Sequence, residues 1–148
     1  KSPAFIATVL GEGDLLQMAL NSDYMYVVGA TTDKESYDYC AARFKESPNV
    51  RLFYGEEIIL HEVVKDINVQ CTFCLDSRSE PAPALIQELG VLKHHRIKSH
   101  VILVQNEHLF GTPASGHITQ YQVEQAIRQI NDGYRFREVA NTLIATYP

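Results

Sequence analysis

Four groups of residues have types and spacings that could do chemistry. Gly11-Glu12-Gly13-Asp14 directly follows an apolar run from Phe5 to Leu10. Glycines at a strand-to-helix turn let backbone N–H groups face an anion or carboxylate, or serve only the bend itself. Asp76 follows the apolar run 71–75 and precedes Ser77-Arg78-Ser79. There a carboxylate reaches a ligand, caps the next helix or pairs with Arg78. Glu56-Glu57 follows the run 50–54. This pair could accept hydrogen bonds from a base or amine, or form a solvated helix start where negative charge is favoured. Cys71 and Cys74 form a C-x-x-C inside a strand pattern. Residues three apart on a strand point to opposite faces, and no second C-x-x-C completes a zinc site, so both read as core thiols.

The histidines add little. His94 and His95 are adjacent, and on a helix they would point roughly 100° apart, which suits a helix end better than a shared metal. No G-x-S-x-G, G-x-x-x-x-G-K-[ST] or H-E-x-x-H occurs in the sequence. No metal site is therefore expected, and motifs alone leave the catalytic residues unassigned.

The elements that must position these residues alternate. Strand patterns at 5–10, 24–30, 50–54, 71–75 and 100–105 are separated by helical periodicity at 15–20, 34–44, 58–64 and 81–92. Pro81 and Pro83 introduce the fourth helix, and Thr119 caps a fifth, with Val123, Ala126, Ile127 and Ile130 at helical spacing. Two alternating runs, 134–139 and 142–147, flank Ala140-Asn141 as a hairpin. The pattern predicts an α/β fold: a Rossmann-like, mostly parallel sheet flanked by helices and ending in an antiparallel hairpin. In such sheets ligands bind beyond the carboxyl ends of the strands, which is where the glycine turn, Glu56 and Asp76 fall.

Size and charge bound the class. The 148 residues carry 13 Lys and Arg against 18 Asp and Glu, a formal net charge of −5. A chain this long suits one domain, 1–148, burying roughly 70% of its unfolded-chain surface. An acidic balance speaks against a nucleic-acid partner, which needs a basic face to displace counterions. No apolar run approaches the roughly 20 residues of a membrane helix, so no membrane partner is expected, and three cysteines are a poor disulfide framework. The expected setting is cytoplasmic.

Several stretches, in order, resemble one family. Phe5-Ile6-Ala7-Thr8…Leu10-Gly11-Glu12-Gly13 resembles the F-[VI]-E-T-G-T-x-x-G opening of small class I, Rossmann-like, S-adenosylmethionine-dependent methyltransferases. The run from Tyr37 to Phe44 with Ser47-Pro48-Asn49-Val50-Arg51-Leu52 and Gly55-Glu56 resembles their second helix and third strand. Cys71-Thr72-Phe73-Cys74-Leu75-Asp76 resembles their F-W-L-D strand, and Ser99-His100-Val101-Ile102-Leu103-Val104 their H-V-I-L-I-D-D strand. Residues 126–148 look like their closing helix and hairpin.

The resemblance implies S-adenosylmethionine as cofactor, with Thr8, Gly11, Gly13, Thr31, Glu56, Asp76 and Ser77 as its binding residues. The family's acid on the first strand falls on Ala7. Its ribose-binding acid falls on Thr31, or on Gly29 in a shifted register. Glu56 and Asp76 keep acids, and the paired aspartates after strand five become Gln105 and Asn106. Charge-assisted hydrogen bonds are about twice as strong as neutral ones, so these replacements weaken a nucleotide grip. Two functions follow as expectations: a methyltransferase-like enzyme acting on a small molecule, or a non-catalytic ligand-binding or protein-interaction module that keeps the fold, in either case able to form a homodimer.

Overall fold

The computed structural model describes residues 3–55, 59–78 and 84–148. Among the described residues seven strands and five α-helices follow in the order β1 (Ala4–Ala7), α1 (Asp14–Leu20), β2 (Tyr26–Thr31), α2 (Lys34–Arg43), β3 (Val50–Tyr54), α3 (Leu60–Val64), β4 (Thr72–Asp76), α4 (Ala84–His94), β5 (Val101–Gln105), α5 (Gln120–Ile130), β6 (Arg135–Val139) and β7 (Thr142–Thr146). They form one seven-stranded sheet in the order β3-β2-β1-β4-β5-β7-β6. The α/β fold with a mostly parallel sheet and closing antiparallel hairpin is the architecture the sequence pattern predicts. The chain packs as two compact units, Lys1–Phe73 and Cys74–Pro148.

In the first unit, β1 pairs with β2 and β2 with β3, all parallel, placing Ala7 beside Gly29 and Thr31 beside Tyr54. Strand alternation gives this sheet two different faces. One carries Gly29 and Leu52 and is covered by α1. A Cβ at Gly29 would stand 2.7 Å from Leu10 and 3.0 Å from Leu16, so glycine permits this close packing. The other face carries Ile6, Val28 and Phe53 and lies under α3. The sequence pattern predicts a helix over 58–64, but α3 has only five residues. At 1.5 Å per residue it spans roughly 7.5 Å.

In the second unit, α4 packs on α5 through apolar faces that bury Leu85, Leu89, Leu92, Val123 and Ile127. Helix α5 starts where Thr119 predicts it. The Thr119 hydroxyl accepts from Gln122 N at 3.2 Å, and the Gln122 side chain accepts from Thr119 N at 2.9 Å, a reciprocal capping box. The hairpin turn Ala140-Asn141 has φ of +48° and +63°, the left-handed pair that matches the twist of two-residue hairpins. Pro81 and Pro83, expected to introduce α4, lie outside the described residues.

Candidate functional site

At the carboxyl end of β1 the chain turns tightly, with Gly13 N donating to Leu10 O at 2.8 Å. Gly11 and Gly13 have φ of +51° and +91°. Their reasons for being glycine differ. A Cβ at Gly13 would stand 2.7 Å from the Phe44 ring, whereas one at Gly11 would meet nothing within 4 Å. Gly13 is therefore required by packing on α2, and Gly11 borders open space. The turn is clamped from α2: Arg43 donates to Glu12 O at 2.7 Å and to Asp14 Oδ1 at 2.9 Å. This clamp holds Arg43 above its ordinary range, chiefly through the Asp14 hydrogen bond.

Thr8 sits between β1 and this turn. Its hydroxyl oxygen is buried and has no hydrogen-bond partner among the described residues, an arrangement that costs roughly 1–3 kcal/mol unless a partner arrives. Ala7, at the position of the family's first acid, is wholly buried and offers no polar group.

Thr31 ends β2 and is 5% exposed. Its hydroxyl accepts from Asp33 N at 3.0 Å, and its carbonyl accepts from Gly55 N at 3.2 Å. No acceptor for the hydroxyl proton is found among the described residues. Asp33 caps α2, accepting from Glu35 N at 3.3 Å and from the Ser36 hydroxyl at 2.7 Å; these bonds hold its carboxyl below the ordinary range, the Ser36 hydroxyl foremost. Beside Thr31, Lys34 Nζ lies 5.4 Å and 5.6 Å from the Tyr37 and Tyr54 ring centroids. The two rings are themselves 5.6 Å apart. Sequence reading passed over this cluster and the Arg43 clamp. The only local signal was a tyrosine ending β3 and a basic residue at each end of α2. Glu56, the expected adenine-side acid, lies outside the described residues.

The second unit holds a different strand end. Asp76 closes β4 at 7% exposure, and both of its oxygens are engaged within the fold. Oδ1 accepts from Arg78 N at 2.8 Å, and Oδ2 accepts from Asn106 Nδ2 at 2.9 Å. Ser77 completes the closure: its hydroxyl donates to Asn106 O at 2.6 Å and its N–H to Gln105 O at 3.1 Å. Asp76 thus meets Arg78 through that residue's backbone N–H, and its other partner is a side chain 30 residues away. The neutral residue after β5 now has a physical reason. An aspartate at 106 would set two carboxylates against each other, and only the amide donates.

Cys71 and Cys74 are buried thiols outside any disulfide; burial pushes them up to about 11 and about 12, with Asp76 adding to the latter. Such thiols are poor nucleophiles. Helix α4 ends at His94, and the following His95 is buried, its Nδ1 3.1 Å from His100 Nε2. Among the described residues no three His, Cys, Asp or Glu side chains are grouped to hold a metal ion. Nor is any helix among them long and apolar enough to cross a membrane.

No family profile matches the sequence, and no curated protein matches it significantly. Solved structures do match in fold. A methyltransferase from Geobacter sulfurreducens aligns with a TM-score of 0.66 and 11% identity, over 100% of this chain and 72% of that one. A candidate caffeoyl-CoA O-methyltransferase from Staphylococcus aureus aligns at 0.65 and 16%, over 99% of this chain and 77% of that one. A candidate methyltransferase from Streptococcus mutans, solved in complex with SAH, aligns at 0.63 and 12%, over 99% and 89%. The chain has the fold of class I S-adenosylmethionine-dependent methyltransferases.

Proposed function

We propose that the chain binds S-adenosylmethionine, or its demethylated product, at the strand ends of the first unit. The observation that carries this reading is the buried, unpartnered Thr8 hydroxyl beside the glycine turn, with open space at Gly11. In this reading residues 8–13 hold the amino-acid end of the ligand, and Thr31 offers its remaining hydroxyl proton to the ribose. The fit is partial, because Ala7 and Thr31 supply no carboxylate. When bound, the cofactor would supply an electrophilic methyl group on a sulfonium. In-line methyl transfer depends mainly on orientation and proximity, so the chain's own task is to position a small-molecule acceptor and exclude water.

Calorimetric titration with S-adenosylmethionine and its demethylated product tests the proposal. Saturable heat that Thr8→Val diminishes supports it. No heat and no thermal shift at millimolar ligand would sink it.

A second reading is favoured by one observation. Asp76, the strand-end acid kept by the family comparison, already has both oxygens engaged by Asn106 and Arg78. A module that binds without turning over would tolerate that closure. Cofactor binding without methyl transfer to any acceptor in a broad small-molecule screen, together with a dimer by light scattering, would favour this module over an enzyme.

A further inference from the structure

The α3 face of the first unit leaves a cleft of about 560 Å³, within the size range of small-molecule sites. Its apolar walls include Ile6, Val28, Phe53, Ile59, Val63 and Ile67. The cause is local: α3 is too short to cover three strands, whereas α1 and α2 serve the opposite face. Tyr26 and Val69, at the mouth, are 55% and 46% exposed. Water against that much concave apolar surface is unfavourable, and patches of this kind mark binding sites.

Charge at the mouth narrows the occupant. Lys65 is paired with Glu62 at 2.7 Å and also feels Asp66, so both acids there are associated with one lysine. Arg51 also borders the cleft, its guanidinium 5.3 Å from the Phe53 ring centroid, and among the described residues it has no carboxylate partner. Arginine over an aromatic ring, beside an apolar cavity, suits an acid whose body is greasy and whose head is planar or multidentate.

We propose that this cleft is a binding site for an amphipathic organic anion, with an aromatic or branched apolar body between α3 and the sheet and a carboxylate or sulfonate head on Arg51. The site is separate from the glycine turn. It does not depend on the cofactor reading.

The probe is 1-anilinonaphthalene-8-sulfonate, with uncharged N-phenyl-1-naphthylamine as the matched comparison. The sulfonate should bind one per chain, with enhanced fluorescence and a raised Tm, since only a ligand of the folded state raises Tm. Val28→Trp, which fills the cleft, should weaken it at least tenfold. Arg51→Ala should weaken the sulfonate about tenfold and leave the uncharged probe unchanged, as expected for one charge-assisted contact. Arg51 is exposed, so that variant keeps the test decisive if Val28→Trp does not fold. Saturating S-adenosylmethionine should not displace the probe. The proposal is overturned by non-saturable binding, by an unchanged or lowered Tm, by displacement with S-adenosylmethionine, or by Arg51→Ala affecting neither probe or both alike.

Discussion

The two strand ends that sequence reading assigned to one ligand are built in opposite ways. In the first unit, the β1 end leaves the Thr8 hydroxyl buried without a partner and Gly11 facing space. In the second, the β4 end has a donor on each Asp76 oxygen and ties Ser77 back to residues 105 and 106. An acid at a strand end is thus not by itself a ligand contact. A buried carboxylate must be satisfied, and here the fold satisfies it. The open end has the weaker chemistry, a hydroxyl in place of an acid, but it is the end with an unmet hydrogen bond.

The largest effect should come from reversing the closed end. Asn106→Asp replaces the donor with a second carboxyl next to buried Asp76, and φ of +59° remains tolerable for aspartate. We expect a loss of about 2–4 kcal/mol at pH 7, from one broken bond and like-charge repulsion. The sign with pH follows from proton binding: the carboxyl introduced at 106 faces Asp76 and is harder to ionise folded than unfolded, so its folded value lies above the unfolded one. Stability then falls as pH rises through the carboxylate range, and the defect fades below about pH 4. Urea unfolding at pH 7 and pH 4 reads both parts; an equal loss at the two values would remove the repulsion argument.

The next effect contrasts the two glycines of the open end. Gly13→Ala combines a left-handed φ of +91° with a 2.7 Å approach to the Phe44 ring and should cost about 2–3 kcal/mol. Gly11→Ala has the φ of +51° but no neighbour, and should cost about 1 kcal/mol. Equal losses would mean that the backbone alone, and not packing on α2, decides both positions.

What the sequence made legible was local. The helix cap at Thr119, the alternation on either side of Ala140-Asn141 and the apolar strands are signals confined to a few residues, and the observed elements follow them closely. The sequence reading ends β2 at Ala30 and starts β4 at Cys71; the strands run to Thr31 and from Thr72 because ladder pairing, not composition, sets such ends. The engagement of Asp76 was not legible, since Asn106 is 30 residues away and reads only as a lost acid until its amide is seen donating. The same holds for Arg43 on the glycine turn and for the cleft, which depends on how little sheet α3 covers.

A smaller effect tests the open end directly. Thr8→Val keeps the shape and deletes an unpartnered polar atom, so stability should stay level or rise by up to about 1 kcal/mol. Any affinity for S-adenosylmethionine should drop at the same time. A stability loss comparable to a core polar deletion would show that the hydroxyl has a partner after all, and the contrast between the two ends would fail.

The smallest effect lies one residue past the closed end. Glu107 is held above its ordinary carboxyl range by desolvation first, and then by the neighbouring Glu138. Glu138 also accepts from the Gln120 amide at 2.7 Å, which holds its carboxyl near Glu107. A raised folded value means that the ionised form is the less welcome one: the folded state is favoured while Glu107 is protonated, and that advantage is lost as pH rises from its unfolded value through the folded one. Glu107→Gln should therefore raise Tm slightly at pH 7 and leave it unchanged near pH 3.5, with a gain of a few tenths of a kcal/mol because the pair is near the surface. Thermal melts of both chains across that range decide it. A gain that persists at pH 3.5 would have to come from the amide's own hydrogen bonds, and the carboxyl pair would then carry no part of the closed end's pH response.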